Sequence, residues 1–265
     1  MKRPPRKRFG QNFLQNKSVI DSIIAVFNPK KEDHLIEIGP GLGALTKPLA
    51  PLVTSLDVIE IDRDLAADLK SLFSQNSQVK IHTTDALSFD LSQLPIPQNP
   101  SKKFRIIGNL PYNISTPLIF HLLNFTPLIE DMIFMLQKEV VERLCAQPNQ
   151  DSFGRLSLMV QYYCKAYPLF TVSNEAFFPK PKVQSQIVRL VPHEMLPCPV
   201  YSLPFFREII RTAFNHRRKT ILNALKGYFT ADDFKQLKLD PLKRPENFSL
   251  QDYAAMSNFK QDSEK

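Results

Sequence analysis

Asn109, Leu110, Pro111 and Tyr112 stand in one unbroken run directly after Phe104-Arg105-Ile106-Ile107-Gly108. That order sets a side-chain amide, a backbone carbonyl, a residue without an N–H and an aromatic ring side by side. The Asn109 side-chain oxygen and the Leu110 carbonyl can each accept one N–H of an exocyclic amine, while Pro111 fixes φ and removes a competing donor. Tyr112 offers a face for stacking a planar base. An exocyclic base amine is a poor nucleophile because its lone pair is delocalised into the ring. Two acceptors that draw both hydrogens out of the base plane favour a tetrahedral nitrogen and aim the lone pair at an electrophile. Such chemistry needs geometry and oriented dipoles, and no strong base. The competing assignment is an ordinary strand-to-helix turn, with Asn109 as a cap and Tyr112 as packing.

A second group of residues fits a nucleotide-like ligand. Gly39-Pro40-Gly41-Leu42-Gly43 follows the apolar run His34–Ile38 and precedes a helix starting at Thr46. This is the strand, glycine turn and helix order in which backbone N–H groups and a close backbone approach receive a ligand. The spacing alone does not separate a dinucleotide from S-adenosylmethionine. Glu60 lies about 20 residues past the turn, where an acid commonly takes ribose hydroxyls, with Asp62 as the rival choice. Asp85 follows a third apolar strand and is placed to accept the amine of a bound adenine, or else to cap a helix. Gln11 and Asn12, between Phe9 and Phe13, can line a pocket or belong to a surface loop. Phe177 and Phe178, ahead of the stiff Pro179-Lys180-Pro181-Lys182 stretch, can cover the second face of an extruded base or plug a sheet edge.

Positioning these groups requires a strand before each functional turn. Apolar β-branched runs predict strands at 34–38, 55–61, 79–84, 104–107 and 131–136, with 169–172 and 186–191 as a closing antiparallel hairpin. Helices are expected over 17–27, from an Asp64 cap to about 74, from 115 with Leu118, Phe120, Leu122 and Leu123 inward, and over 138–145 and 155–163. Beyond Pro192 the period changes to helical. Residues 205–226 read as an amphipathic helical segment carrying Arg207, Arg211, Arg217, Arg218, Lys219 and Lys226 against the single acid Glu208. By spacing, Arg207, Arg211 and Arg218 share a face beside a Phe206, Ile210, Ala213 stripe. The expected organisation is an α/β domain over 1–191 and a small all-α domain over 192–265.

The bulk numbers narrow the partners. The 265-residue chain has a formal charge of +8, and Lys2, Arg3, Arg6, Lys7 and Arg8 form a basic arm broken by Pro4 and Pro5. Both features point to a polyanion, with nucleic acid first. Cys145, Cys164 and Cys198 are odd in number and widely spaced, which supports neither a disulfide framework nor a zinc site. His34, His82, His121, His193 and His216 show no ligand spacing, so no metal is expected. No apolar run reaches the roughly 18 residues of a membrane span, and no signal peptide is evident, so a cytoplasmic protein is expected.

Taken jointly, several stretches resemble the rRNA adenine N6-dimethyltransferase family, specifically its small-subunit branch. They are Phe9-Gly10-Gln11-Asn12-Phe13-Leu14, Glu37-Ile38-Gly39-Pro40-Gly41-Leu42-Gly43, Asp85-Ala86, the run from Gly108 to Pro117, and Phe177 with Pro179, Pro181, Lys182, Val183 and Ser185. The similarity spans nearly the whole chain. It implies a Rossmann-like class I fold with a seven-stranded mixed sheet, a helical C-terminal domain, S-adenosyl-L-methionine as methyl donor, and two adjacent adenosines near the 3′ end of 16S rRNA as acceptors, each methylated twice. By matching position, Asn12, Leu14, Gly39, Gly41, Glu60, Asp85 and Asn109 would hold the cofactor. Asn109, Leu110, Pro111 and Tyr112 would hold the base, with Phe177 on its other side. Arg207, Arg211, Arg217, Arg218 and Lys219 would meet RNA within an immature small subunit, the protein acting as a monomer.

The nearest rival is the large-subunit rRNA methyltransferase family that confers macrolide resistance. Leu110 and the segment from Ala213 to Thr220 lean away from it. A DNA adenine or protein glutamine methyltransferase would more usually have a second proline at position 110. A non-catalytic RNA-binding factor would not need the acceptor set, and an NAD-dependent oxidoreductase would need a hydride-transfer partner that is not evident.

Overall fold

The computed structural model describes residues 6, 10–95 and 103–263. The basic residues Lys2, Arg3, Lys7 and Arg8, together with Pro4, Pro5 and Phe9, lie outside the described residues. The chain runs β1 (Phe13–Leu14), α1 (Lys17–Phe27), β2 (His34–Ile38), α2 (Thr46–Leu49), β3 (Ser55–Glu60), α3 (Arg63–Leu72), β4 (Val79–Thr83), β5 (Phe104–Asn109), α4 (Ser115–Leu122), β6 (Ile129–Gln137), α5 (Lys138–Cys145), α6 (Arg155–Tyr163), β7 (Cys164–Val172), β8 (Phe177–Phe178), β9 (Ser185–Pro192), α7 (Leu203–Asn215), α8 (Ile221–Ala224), α9 (Ala231–Gln236) and α10 (Leu250–Ser263).

Seven strands form one sheet in the order β4-β3-β2-β5-β6-β9-β7, and β1 pairs with β8 in a separate two-stranded ribbon. β2 is parallel to both β3 and β5, and β6 is parallel to β5 but antiparallel to β9. Strands covered on both faces are rich in apolar side chains, which is why β2, β3 and β5 read as largely apolar, and the charges they do bury, Glu37, Asp57, Glu60 and Arg105, are exceptions. The expected Rossmann-like mixed α/β fold is present. Chain direction around β2 and β5 creates the switch point at which open α/β sheets receive ligands, outside the carboxyl ends of the strands. Gly108 is required there, because a Cβ on it would stand 2.5 Å from the Ile38 carbonyl oxygen of the neighbouring strand.

Local sequence sets the element ends. The Asn16 side chain accepts from Val19 N at the start of α1, and Asn28 closes that helix in the left-handed region at φ 48°. α3 is capped by Asp62, whose side chain accepts from Asp64 N, and not by Asp64 as the sequence suggested. Asp62 has the extended backbone a cap requires, whereas Asp64 already lies inside the first turn. In α4 the inward positions are Leu118, Ile119 and Leu122, and Phe120 is only half-buried. The opposite end of the sheet is locked by Arg105, which grips Asp131 through Nε and Nη2 at 2.8 and 3.0 Å, Asp33 at 2.8 Å and the Phe27 carbonyl at 2.7 Å.

The chain forms two compact units, Met1–Val141 with Tyr167–Pro192, and Glu142–Ala166 with His193–Lys265. The sequence suggested one boundary at 191/192, but the units interleave. The reason is α6, whose buried Leu156, Met159, Val160 and Tyr162 share a core with α7, the Tyr162 ring centroid lying 5.0 Å from that of Phe206. Within this second unit α7 buries Phe206, Ile209, Ile210 and Ala213 along one stripe. The helix ends at Asn215, so 205–226 is not one helical segment. Ile221 N and Leu222 N donate to the Lys243 and Pro241 carbonyls, redirecting the chain so that Ile221 and Ala224 are buried. Arg218 therefore lies in the turn after α7 and does not share a helical face with Arg207 and Arg211.

Candidate active site

A cavity of about 300 Å³ opens across the carboxyl ends of β4, β3, β2 and β5. Each strand delivers one functional turn to it. After β2, Gly39 and Gly41 sit at φ 69° and 57°, in the left-handed region that glycine enters without strain. A Cβ on Gly41 would meet the Phe13 ring at 3.0 Å, so the glycine turn also makes room for β1. At the end of β3 the Glu60 carboxylate accepts from Gly41 N at 3.2 Å and Asp62 N at 2.8 Å, tying the second acid position to the glycine turn. Burial raises its pKa. Of the two rival acids, Glu60 lines the cavity and Asp62 does not. Asp85, after β4, lines it too, while its Oδ1 accepts from Leu87 N at 2.9 Å, so its turn-capping and wall positions coincide.

After β5, Asn109, Leu110, Pro111 and Tyr112 all line the cavity. Asn109 Nδ2 donates to the Asn12 carbonyl at 3.0 Å, which leaves Oδ1 without a partner among the described residues. The Leu110 N–H is bonded to the Met135 carbonyl at 3.3 Å, Pro111 has no N–H, and the Tyr112 hydroxyl is joined to Ser185 Oγ at 2.7 Å. Asn12 and Leu14 complete the wall from the N-terminal side, β1 being held by backbone pairing of Leu14 with Phe177 and Phe13 with Phe178.

Phe177 departs from expectation. It is 4% exposed and packs in the core with Leu14, Ile107, Ile133 and Ile187, whereas Phe178 is 55% exposed. Adjacent residues of a strand face opposite sides, and the β1–β8 register turns Phe177 inward. The cavity lining does not include it.

Glu37 is a wall residue to which the sequence reading gave no task. It is fully buried at the end of β2, its Oε2 has no partner among the described residues, and burial pushes its pKa up to about 8, with Thr46 opposing and the like charge of Glu60 adding. Its position two residues before Gly39 was the available signal. Ile61 and Leu42 are half-exposed apolar wall residues of the same kind. His34 and His82, left without a role, hold the buried Asp57 carboxylate from both sides, each Nε2 at 2.5 Å. Burial raises the Asp57 pKa, but these two bonds outweigh it and hold it at about 2. The pair is a cross-strand lock, away from the cavity lining.

The cationic residues named from sequence behave differently from one another. Arg207 Nη2 donates to the Tyr163 hydroxyl at 2.7 Å, Arg211 is paired with Glu208 at 2.7 Å, and Arg217 donates to the Asp151 carbonyl at 2.7 Å. Arg218 and Lys219 are exposed in the turn after α7.

A glycine turn, a second-strand acid and a free amide acceptor around one cavity at the switch point fit a Rossmann-like methyltransferase. Residues 3–262 match the model of the ribosomal RNA adenine dimethylase family, and the chain belongs to that family. It is 50% identical over 258 residues to the ribosomal RNA small subunit methyltransferase A of Vibrio parahaemolyticus, covering 97% of this chain and 95% of the relative. Over 261 residues it is 49% identical to the protein of the same name from Pasteurella multocida, covering 97% and 91%. A dimethyladenosine transferase from Plasmodium falciparum superposes with a TM-score of 0.77 at 27% identity, over 92% of this chain and 95% of that one. The 23S rRNA methyltransferase ErmE shares the fold, with a TM-score of 0.72 at 20% identity over 94% and 100%.

Proposed function

We propose that this protein transfers methyl groups from S-adenosyl-L-methionine to N6 of two adjacent adenosines near the 3′ end of 16S rRNA, dimethylating each within an immature small ribosomal subunit. The observation that carries the reading is the committed Asn109 amide: with Nδ2 bonded to Asn12, only Oδ1 remains to accept from a ligand. Asn109 Oδ1 and the Leu110 carbonyl take the two N–H groups of the adenine amine, Pro111 offers no rival donor, and Tyr112 stacks on the base. The lone pair of the amine is then aimed toward the glycine-turn side of the cavity.

The wall residues fit the cofactor. Gly39 and Gly41 allow close approach, Glu60 takes ribose hydroxyls, Asp85 takes the adenine amine, and Asn12, Leu14 and Asn109 close the pocket. The unpartnered, buried Glu37 oxygen is the kind of acceptor that a cationic amino group satisfies. The cofactor supplies an electrophilic methyl on sulfonium, and the protein supplies orientation. Of the five cations named from sequence, Arg218 and Lys219 are exposed and carry no ion pair among the described residues, which leaves them available to phosphate, with Arg207, Arg211 and Arg217 preceding them in sequence. The protein works as a cytoplasmic monomer.

The test is transfer of radiolabelled methyl to unmethylated small subunits, unmethylated large subunits and a DNA duplex in parallel, followed by nucleoside analysis. Label as N6,N6-dimethyladenosine in the small subunit alone is expected. Label in the large subunit would move the assignment to the resistance-type branch.

A further inference from the structure

The segment from Gly10 to Leu14 crosses the cavity wall as a strap held from two sides. On one side Asp62, itself almost fully buried, receives two upstream side chains, one on each carboxylate oxygen. Arg6 Nη1 lies 2.9 Å from Oδ1, and Gln11 Nε2 donates to Oδ2 at 3.1 Å. Arg6 N donates to Gln11 Oε1 at 2.8 Å, which joins the two arms, and the Arg6 guanidinium also pairs with Asp64. On the other side the Asn12 carbonyl receives Asn109 Nδ2, and Gly10 lies so close to Asn113 that a Cβ there would stand 2.8 Å from its Oδ1. The strap thus links the end of β3, where Glu60 sits, to the end of β5, where Asn109 sits.

We propose that Arg6, Gln11 and Asp62 are positioning residues for methyl transfer: their clasp seats the strap, and the seated strap, through the Asn12 carbonyl, holds Asn109 with Oδ1 as its free acceptor. This rests on the function proposed above and adds a coupling to it. Strap residues form part of the cofactor wall, so exchange of spent for fresh cofactor lifts the same segment that orients Asn109. Dimethylation needs such an exchange between successive transfers, and each one releases and then restores the acceptor. The clasp sets how fast that cycle turns.

The experiment uses the full chain and its Gln11→Ala, Arg6→Ala and Arg6→Lys variants, with thermal midpoints recorded as a folding control. Two quantities are read: the dissociation rate of S-adenosyl-L-methionine without RNA, and single-turnover methyl transfer to unmethylated small subunits at saturating cofactor. Both alanine variants should release cofactor about tenfold faster, the scale for losing a partly exposed charge-assisted contact. Their single-turnover rate should fall as well, with Arg6→Lys recovering part of each effect. In the wild type, dissociation should accelerate with salt as the Arg6–Asp62 pair is screened. Faster dissociation with a fully retained single-turnover rate would overturn the proposal, because the strap would then be only a cover. Unchanged dissociation would overturn it as well. The RNA-free measurement separates the two assignments: altered release in a protein that methylates no small subunit sinks the substrate reading, whereas normal methylation with unaltered release sinks the clasp.

Discussion

The Tyr112 hydroxyl and Ser185 Oγ lie 2.7 Å apart, joining the residue after the acceptor turn to the first residue of β9. Burial raises the Tyr112 pKa, with Ser185 opposing, so the phenol is neutral across the working range and the tether fixes the ring. Tyr112→Phe should keep stacking and lose the tether, lowering methyl transfer by a few-fold. Tyr112→Ala should lower it by roughly tenfold to a hundredfold, the range for removing one aromatic stacking partner. Steady-state transfer to small subunits checks both, and an equal loss in the two variants would contradict the stacking role.

For Asn109→Ala we expect single-turnover transfer lower by about a hundredfold at saturating cofactor, the scale for one oriented transition-state contact, and a smaller loss of cofactor affinity, about tenfold, as the strap loses its bond to Asn12. Asn109→Asp should be no better, since it sets an oxygen against the Asn12 carbonyl in place of the N–H. Equilibrium dialysis and rapid-quench transfer decide the point.

Glu37 makes stability depend on pH. Its folded pKa, about 8, lies above the ordinary 4.5, so between those values the unfolded chain has released a proton that the folded chain retains. Stability of the cofactor-free protein therefore falls as pH rises through this window, by at most about 1.4 kcal/mol per pH unit. Glu37→Gln should flatten that dependence, converging with wild type near the acid end. Urea unfolding at several pH values measures it.

Phe177→Ala should destabilise the protein by about 3–5 kcal/mol, as expected for emptying a buried aromatic site. Phe178→Ala should leave the thermal midpoint unchanged. A Phe177→Ala variant that keeps its midpoint and loses only turnover would restore the base-facing role that the sequence suggested.

Removing Arg218 and Lys219 together should reduce the slope of log affinity against log salt for small-subunit RNA by roughly one unit per lost phosphate contact. Arg211→Ala should change it less, because that guanidinium is already paired with Glu208.

What the sequence disclosed was local. The glycine turn, Glu60, Asp85 and the Asn109 run each follow an apolar strand, and period and turn chemistry locate such units without tertiary information. What it concealed depends on distant partners. Whether Asp62 or Asp64 caps α3 turns on one residue's backbone angles. Which of Phe177 and Phe178 is buried is decided by a two-residue strand whose partner lies far upstream in β1. The break after Asn215 follows from bonds to Pro241 and Lys243, beyond any helical window. His34 and His82 meet Asp57 diagonally across three strands, a relation that exists only once sheet order is fixed.

β9 lies between β6 and β7, although it is the last strand to be made among the described residues. During synthesis the edge of β6 stays bare while α5, α6, β7 and β8 emerge, and the sheet closes only when Ser185–Pro192 has left the ribosome. The tether that fixes Tyr112 arrives with that same strand. A nascent chain halted before Ser185 would therefore display a cofactor wall with an unfinished base site, on an open sheet edge prone to mispairing.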